Sequence, residues 1–201
     1  MADWVHFLNH GWRQLRFLPA SPLAQLMTAP EMETLDGLLA AAGVFRPLPA
    51  RKLDRLSQLK AYLNLPGPGP TSRFCDGSFR ALYAGESLAT CAAEVAHHHG
   101  RALADSGEPA GAIRVFEGLA LGIAGRFVDV RKGHRDLHRP EDYRAAQRFG
   151  RTLRSQGDSG AVYRSVRRKG GECLLLLAGA TVKSCSLKDL VALTWDGRQL
   201  A

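Results

Sequence analysis

The chain has 201 residues, and its 27 lysines and arginines against 19 aspartates and glutamates give a formal net charge of +8. Its 45% hydrophobic and 23% charged residues are the ordinary composition of a soluble globular protein, and they exclude a disordered tail or a coiled coil. No apolar stretch reaches the roughly 18 residues that span a bilayer, and residues 1–18 lack the continuous apolar segment of a secretory signal. We therefore expect a cytoplasmic protein that does not insert into a membrane.

The N-terminal part of the chain has helical periodicity. Apolar residues recur at helical spacing over residues 3–18, 30–42 and 53–63. The proline- and glycine-rich run that follows forms a non-helical connector, because each proline fixes its own φ and biases the preceding residue toward extended backbone. The sequence predicts a helical N-terminal extension over residues 1–65 and a main domain over residues 66–201. The extension packs on the main domain, or it forms an interface with a second copy in a homo-oligomer or with a partner protein.

The main domain has a mixed pattern. One helix is predicted over residues 87–98, with Ser87 as its N-cap and Gly100 as its end, and another over residues 140–154. Strands are predicted over residues 79–83, 113–119, 126–130, 162–166, 172–177 and 190–195. Because helices and strands do not alternate regularly, we predict an α+β fold with a mixed or antiparallel sheet and flanking helices, and not a doubly wound parallel sheet.

The cysteines and the net charge bear on possible ligands. The four cysteines form no Cys-x-x-Cys pair, so neither a zinc site nor a redox pair is indicated, and we expect free thiols that pack as small core residues. The positive charge favours an anionic partner, such as nucleic acid, a phosphorylated small molecule or an acidic protein. A solvated surface accounts for it equally well, because only one dense basic cluster occurs, formed by Arg164, Arg167, Arg168 and Lys169.

Two groups of side chains are candidates for chemistry. Glu94 lies beside the apolar stripe of the 87–98 helix, and His98 follows it one turn later on the same face. Three consecutive histidines begin at His97, but they fan apart by about 100° per residue on a helix, so no metal site is expected. The second group is Arg73, which precedes a strand and can hold a phosphate through two donors, and Tyr83 at the end of that strand.

These residues belong to an ordered set, which is Arg73-Phe74, Leu82-Tyr83-Ala84, Ser87-Leu88-Ala89-Thr90, Ala92-Ala93-Glu94, Tyr163-Arg164-Ser165 and Gly170-Gly171. Over about residues 66–197 the set resembles the RES-domain family, which is named for its Arg, Glu and Ser positions. The Arg of that family usually precedes Trp and follows paired glycines, whereas here Ser72 precedes Arg73 and Phe74 follows it.

The resemblance implies a fold related to the ADP-ribosyltransferases and an enzyme that consumes NAD⁺. It also implies the toxin of a bacterial type II toxin–antitoxin pair, whose antitoxin is an Xre-type helix-turn-helix protein that alone contacts DNA. Glu94 would then be the catalytic carboxylate, and Arg73 would bind the phosphates or the nicotinamide-side ribose. The remaining family roles fall on Tyr83 in the nicotinamide subsite, Ser165 beside the ribose or nicotinamide, and His98 as a further contact to NAD⁺.

The chemistry of these residue types fits such a reaction. Cleavage of the N-glycosidic bond of NAD⁺ develops positive charge on the ribose, and nicotinamide leaves as a neutral molecule, so one carboxylate suffices. Whether the acceptor is water, phosphate or a side chain of a target protein is left open by the sequence. The alternative function is a nucleic-acid-binding or RNA-cleaving module, which the net charge and the basic cluster favour.

Overall fold

The structure is a computed structural model that describes residues 3–18, where it gives the backbone, and residues 54–201. Its strands are β1 (Asp3–Leu18), β2 (Leu82–Gly85), β3 (Ile113–Asp129), β4 (Gly160–Arg164), β5 (Glu172–Leu176) and β6 (Val182–Thr194). Its helices are α1 (Arg55–Asn64), α2 (Leu88–Asp105) and α3 (Arg144–Ser155), with 3₁₀ turns at Arg135–His138 and Gly179–Thr181. In these described ranges, every helix is too short or too polar to cross a membrane.

The strands form a single mixed sheet in the order β1-β2-β5-β4-β3-β6, and β1 also pairs with β3. The β3–β4 pair is parallel, and the other pairs are antiparallel. Because β1 pairs with both β2 and β3, five strands form a closed circuit, to which β6 is added along β3. The predicted α+β class with a mixed sheet is confirmed.

β1 shows that the prediction of a helix over residues 3–18 is wrong. This segment is a strand that pairs with β3 along nearly its whole length. The register shifts between Leu8 and His10, so the strand lacks the strict alternation of two residues by which a strand is recognised in a sequence. The backbone hydrogen bonds of the long ladder override the helical spacing of the apolar residues.

The rest of the N-terminal prediction has a mixed outcome. The helix predicted over residues 53–63 is confirmed as α1, whereas the helix predicted over residues 30–42 lies outside the described residues. α1 packs on the sheet through buried Leu59 and Leu63, and Arg55 Nη2 lies 2.7 Å from Oε1 of Glu117, a buried carboxylate on β3. The division of the chain at residue 65 stays a prediction.

The elements of the main domain are confirmed in type but not in every bound. α2 does not end at Gly100 but continues to Asp105, because Gly100 is buried against the Trp195 side chain and this packing offsets the low helix propensity of glycine. β3 is one continuous strand where the sequence predicts two, over residues 113–119 and 126–130. The register with β6 shifts beside Gly118 and Gly122, so the glycines bend β3 without ending it.

Buried side chains form three core clusters, of which one surrounds the loop that precedes β2. Phe74 is fully buried in this cluster and contacts Tyr163 edge to face, with ring centroids 4.8 Å apart. Arg73 is the neighbour of Phe74, so the packing of Phe74 sets the position of Arg73. The expected free thiols are confirmed, with three buried and one partly buried, at Cys75, Cys91, Cys173 and Cys185.

Candidate active site

A cleft of about 360 Å³ opens beside β2, α2 and the loop that precedes β2. A cavity of this size is typical of small-molecule sites, which span roughly 300–1,000 Å³. Four of the five predicted site residues line it, namely Arg73, Tyr83, Glu94 and His98. The fifth, Ser165, does not line the cleft but contacts Glu94. The structure therefore brings all five predicted residues to one place.

Glu94 reaches the cleft from α2. Ser87 caps this helix, because its Oγ accepts a 3.2 Å hydrogen bond from the backbone N–H of Thr90. Oε1 of Glu94 accepts a 2.6 Å hydrogen bond from Ser165 Oγ, and Cys173 Sγ lies 3.8 Å from the same oxygen. Oε2 has no hydrogen-bond partner among the described residues. Oε2 can therefore accept a hydrogen bond from a ligand.

Cys173 is a neutral neighbour of this carboxylate. Burial raises the pKa of the Cys173 thiol, and the negative charge of Glu94 raises it further. The thiol therefore stays protonated and can donate a weak hydrogen bond to Glu94. Because it is neutral, it does not compete with Glu94 for a positively charged group. The sequence indicates Cys173 only as a small core residue, without a place beside Glu94.

Ser165 orients Glu94 from behind. Its Oγ accepts hydrogen bonds from the backbone N–H groups of Arg167, at 3.1 Å, and Arg168, at 2.9 Å, while it donates to Glu94. These three bonds use the full capacity of a hydroxyl, which has one donor and two acceptor positions. The Ser165 backbone N–H donates to the carbonyl oxygen of Gly171 at 2.8 Å, so the chain returns on itself in a tight loop.

The glycine pair closes this loop. Gly170 has a φ of 78°, a left-handed conformation that favours glycine. At Gly171 a Cβ would lie 2.7 Å from Thr90 Oγ1, which shows how closely the loop packs on α2. Glu86 reinforces this contact, because its two carboxylate oxygens accept hydrogen bonds from Thr90 Oγ1 at 2.7 Å and from the backbone N–H of Glu172 at 2.8 Å.

Among residues 54–201, Arg73 is the one buried arginine, at 4% exposure. Its Nη1 donates to the carbonyl oxygens of Arg139, at 2.8 Å, and Leu137, at 3.4 Å. Its guanidinium carbon lies 4.6 Å from the ring centroid of Tyr143, which is a cation–π contact. No carboxylate of the described residues forms an ion pair with it. In the part of the chain that the structure describes, the Arg73 charge is thus held by carbonyl dipoles and a ring, and no carboxylate serves as its counter-ion.

Tyr83 positions this arginine through its hydroxyl. The Tyr83 oxygen lies 2.7 Å from Ser72 Oγ and accepts a 3.2 Å hydrogen bond from the backbone N–H of Phe74. It therefore binds the residues on both sides of Arg73. Burial raises the pKa of Tyr83, so the phenol stays neutral. Because the hydroxyl is bound to the loop, Tyr83 lines the cleft with its aromatic ring.

α3 supports the same loop from below, and this support was not predicted. Gln147 Nε2 donates to the carbonyl oxygen of Ser72 at 3.0 Å. A Cβ at Gly150 would collide with the carbonyl oxygen of Phe74, so only glycine allows the loop to approach the helix. An isolated glycine inside a helical pattern often has such a packing reason, and the sequence did contain this signal.

The histidines do not share one role. His98 lines the cleft with its side chain exposed, and the loss of part of its solvent lowers its pKa against an opposing effect of Glu94. His97 stacks edge to face on His98, with ring centroids 5.3 Å apart, and His99 packs on Phe116 at 5.0 Å. In the described part of the chain, no three histidine, cysteine or acidic side chains are grouped as a metal site would require.

The fold and the cleft define an α+β protein with a candidate small-molecule site, in which a buried arginine and a glutamate on a helix line the same cavity. Comparison with known protein families matches residues 49–196 to the RES domain. The chain belongs to the RES-domain family. The matched region begins before the predicted main domain and includes α1.

Among solved structures, the chain is similar to a chain of the M. tuberculosis MbcT-MbcA toxin-antitoxin complex, determined by crystallography. The identity is 16% and the TM-score is 0.50, and the alignment covers 93% of this chain and 87% of that chain. At this identity the likeness concerns the fold. A comparison with curated proteins finds no match.

Proposed function

We propose that this protein cleaves NAD⁺ at the nicotinamide–ribose bond and acts as the toxin of a type II toxin–antitoxin pair. The observation that carries the proposal is the buried charge of Arg73, which lines a cleft without a carboxylate partner among the described residues. Buried charges are normally paired with a charge of opposite sign. A phosphate of the dinucleotide would supply this counter-ion, because the planar guanidinium can donate two hydrogen bonds to it. Membership of the RES-domain family supports the same substrate.

The catalytic role in this proposal belongs to Glu94. When the N-glycosidic bond breaks, the electron pair leaves with nicotinamide, which becomes neutral, and positive charge develops on the ribose. Glu94 Oε2, which has no hydrogen-bond partner among the described residues, would accept a hydrogen bond from a ribose hydroxyl, and this bond strengthens as the charge develops. Such an interaction stabilises the transition state more than the bound substrate, so it raises kcat.

Tyr83, Ser165 and His98 complete the proposed site. The Tyr83 ring lines the cleft, where it offers a face to the cationic pyridinium ring of NAD⁺, a contact worth about 0.5–2 kcal/mol. Ser165 holds Glu94 and acts through it. His98 lies beside Glu94 with a lowered pKa, so it is neutral at pH 7 and suited to bind or deprotonate the acceptor, whether water, phosphate or a target protein.

The partner in this proposal is an antitoxin of the Xre type. The fold is similar to that of a protein solved in a toxin-antitoxin complex. An antitoxin that closes the mouth of the cleft would keep NAD⁺ from Glu94. Contact with DNA would then be made by the antitoxin and not by this chain.

The decisive experiment measures free nicotinamide after purified protein is incubated with NAD⁺, with and without cell extract as a source of acceptors. Glu94→Gln is the test variant, because it keeps the shape of the side chain and removes the charge. Asp105→Asn, at the exposed end of the same helix, is the matched control. We expect release by the wild type and by the control, and a loss of at least 100-fold in Glu94→Gln. A wild type that releases no nicotinamide under either condition overturns the proposal.

A second measurement identifies the acceptor. NAD⁺ labelled in the adenosine half leaves label on protein only if ADP-ribose is transferred to a side chain, while hydrolysis and phosphorolysis give different soluble products. The alternative of a nucleic-acid-binding or RNA-cleaving module predicts binding or cleavage of RNA that falls steeply with added salt. RNA cleavage that persists in Glu94→Gln, without nicotinamide release by the wild type, would support that alternative.

A further inference from the structure

One arginine outside the cleft contacts the two residues that hold the charged groups of the cleft in place. Glu94 is held by Ser165, and Arg73 lies on the ring of Tyr143. Arg167 contacts both supports, although it does not line the cleft itself. The family resemblance implies no role for Arg167, which the sequence indicates only as a member of the basic cluster.

The contacts of Arg167 divide between its backbone and its side chain. Its backbone N–H donates to Ser165 Oγ at 3.1 Å, on the Glu94 side. Its Nη2 donates to the Tyr143 hydroxyl at 3.3 Å, to Oε1 of Glu141 at 3.0 Å and to the carbonyl oxygen of Pro140 at 2.6 Å. The Arg167 side chain is 15% exposed, whereas the Glu141 side chain that it pairs with is 61% exposed. One residue thus ties the loop behind Glu94 to the segment that carries Tyr143.

We propose that Arg167 is a positioning residue that fixes the separation between Arg73 and Glu94 across the cleft. The inference rests on the proposed function, because the separation matters only if both groups act on one substrate. Reactive groups held within about 0.5 Å of their productive positions are effective, and a displacement of about 1 Å costs roughly 100-fold in rate. The single nitrogen Nη2 makes all three side-chain contacts, so a lysine ammonium, which has three donors, can replace part of them.

A residue that only stabilised the fold would behave differently. Its removal would lower the melting temperature and leave the kinetics of the folded protein unchanged. Removal of a positioning residue lowers kcat in protein that is still folded, and it changes KM less, because NAD⁺ still meets Arg73 and Tyr83. The two roles are therefore separated by kcat and KM measured well below the unfolding transition.

The test compares nicotinamide release by Arg167→Met, Arg167→Lys and Tyr143→Phe. Tyr143→Phe keeps the ring under Arg73 and removes the hydroxyl that accepts from Arg167. Arg144→Met is the matched control, because this neighbouring arginine is exposed and pairs with Asp142 on the surface. We expect a 10- to 100-fold lower kcat in Arg167→Met with KM within about threefold, partial rescue in Arg167→Lys, and an unchanged control.

The double variant Tyr143→Phe/Arg167→Met separates coupling from independent effects. If Arg167 acts through Tyr143, the double variant loses less kcat than the product of the two single losses, because the second change removes a contact that is already broken. Losses that multiply, or a kcat of Arg167→Met within twofold of the wild type, refute the inference while the proposed function stands. A wild type that releases no nicotinamide refutes the proposed function and this inference together.

Discussion

Replacement of Ser165 by alanine tests how far the site depends on the orientation of Glu94. The change removes a 2.6 Å hydrogen bond to Oε1 of Glu94 and leaves the residues that line the cleft unaltered. It also removes the acceptor of the Arg167 and Arg168 backbone N–H groups, at 3.1 and 2.9 Å. Activity and stability should therefore both fall, by amounts that can be worked out separately.

The loss of activity follows from the bond to the carboxylate. A hydrogen bond to a charged group contributes about 1.5–3 kcal/mol, and each 1.4 kcal/mol changes a rate about tenfold, so kcat should fall about 10- to 100-fold. The two backbone N–H groups that lose their acceptor lie in a part-exposed loop and cost about 1–2 kcal/mol together. For a domain of this size, that cost lowers Tm by about 2–8 °C.

The assay is the initial rate of nicotinamide release, with thermal unfolding measured on the same samples. Ser165→Thr keeps the hydroxyl and should recover most of the rate. Ser155→Ala is the control, because Ser155 Oγ caps only the exposed end of α3 through the carbonyl oxygen of Thr152. A folded Ser165→Ala variant with a rate within twofold of the wild type would refute the role of Ser165 in orienting Glu94.

Two further predictions concern the scaffold of the cleft. In Gly150→Ala the new Cβ collides with the Phe74 carbonyl oxygen, so both Tm and nicotinamide release should fall, although alanine normally favours a helix by about 1 kcal/mol. Gly100→Ala, whose Cβ would lie at an ordinary 3.6 Å from Trp195, is the control, and an equal or higher Tm in Gly150→Ala would contradict the packing argument. Stability should also fall as the pH drops from 7.5 to 5.5: burial lowers the pKa of four histidines, so below the unfolded value of about 6.5 the unfolded chain binds more protons. The carboxylates with lowered pKa lose their contribution to stability only in more acidic solution. A Tm that stays constant or rises as the pH drops from 7.5 to 5.5 would therefore refute the lowered pKa of the four histidines, which are His97, His98, His99 and His138.

Elements with a local signal could be predicted from the sequence, and elements that depend on distant pairing could not. α2 has an N-cap serine and an amphipathic face, and its start is where the sequence placed it. β1 depends on a ladder with β3, whose residues lie about 100 positions later in the chain, and a register shift hides its alternation. The 3₁₀ turn at Arg135–His138 has no local pattern, yet its Leu137 carbonyl oxygen accepts a hydrogen bond from Arg73.

The same distinction holds within the site. Arg73, Tyr83 and Glu94 could be proposed because their order along the chain carries a family pattern, and the structure places them in one cleft. Tyr143 and Arg167 are joined to them only through contacts between distant loops, so spacing could not reveal them. A pattern of residues identifies the groups that meet a ligand, whereas the groups that hold those residues in place are found from distances.

The net charge of +8 is a property of the outer surface more than of the cleft. Two open concavities on the surface share Asp136 and Arg139. They are also lined by four cations that form no ion pair among the described residues, namely Lys132, Arg135, Arg148 and Arg164. Exposed charges are screened over about 8 Å at physiological ionic strength, while a buried charge such as Arg73 is screened much less. An activity that falls steeply with salt would therefore depend on the surface cations, and an activity that tolerates salt would depend on the cleft.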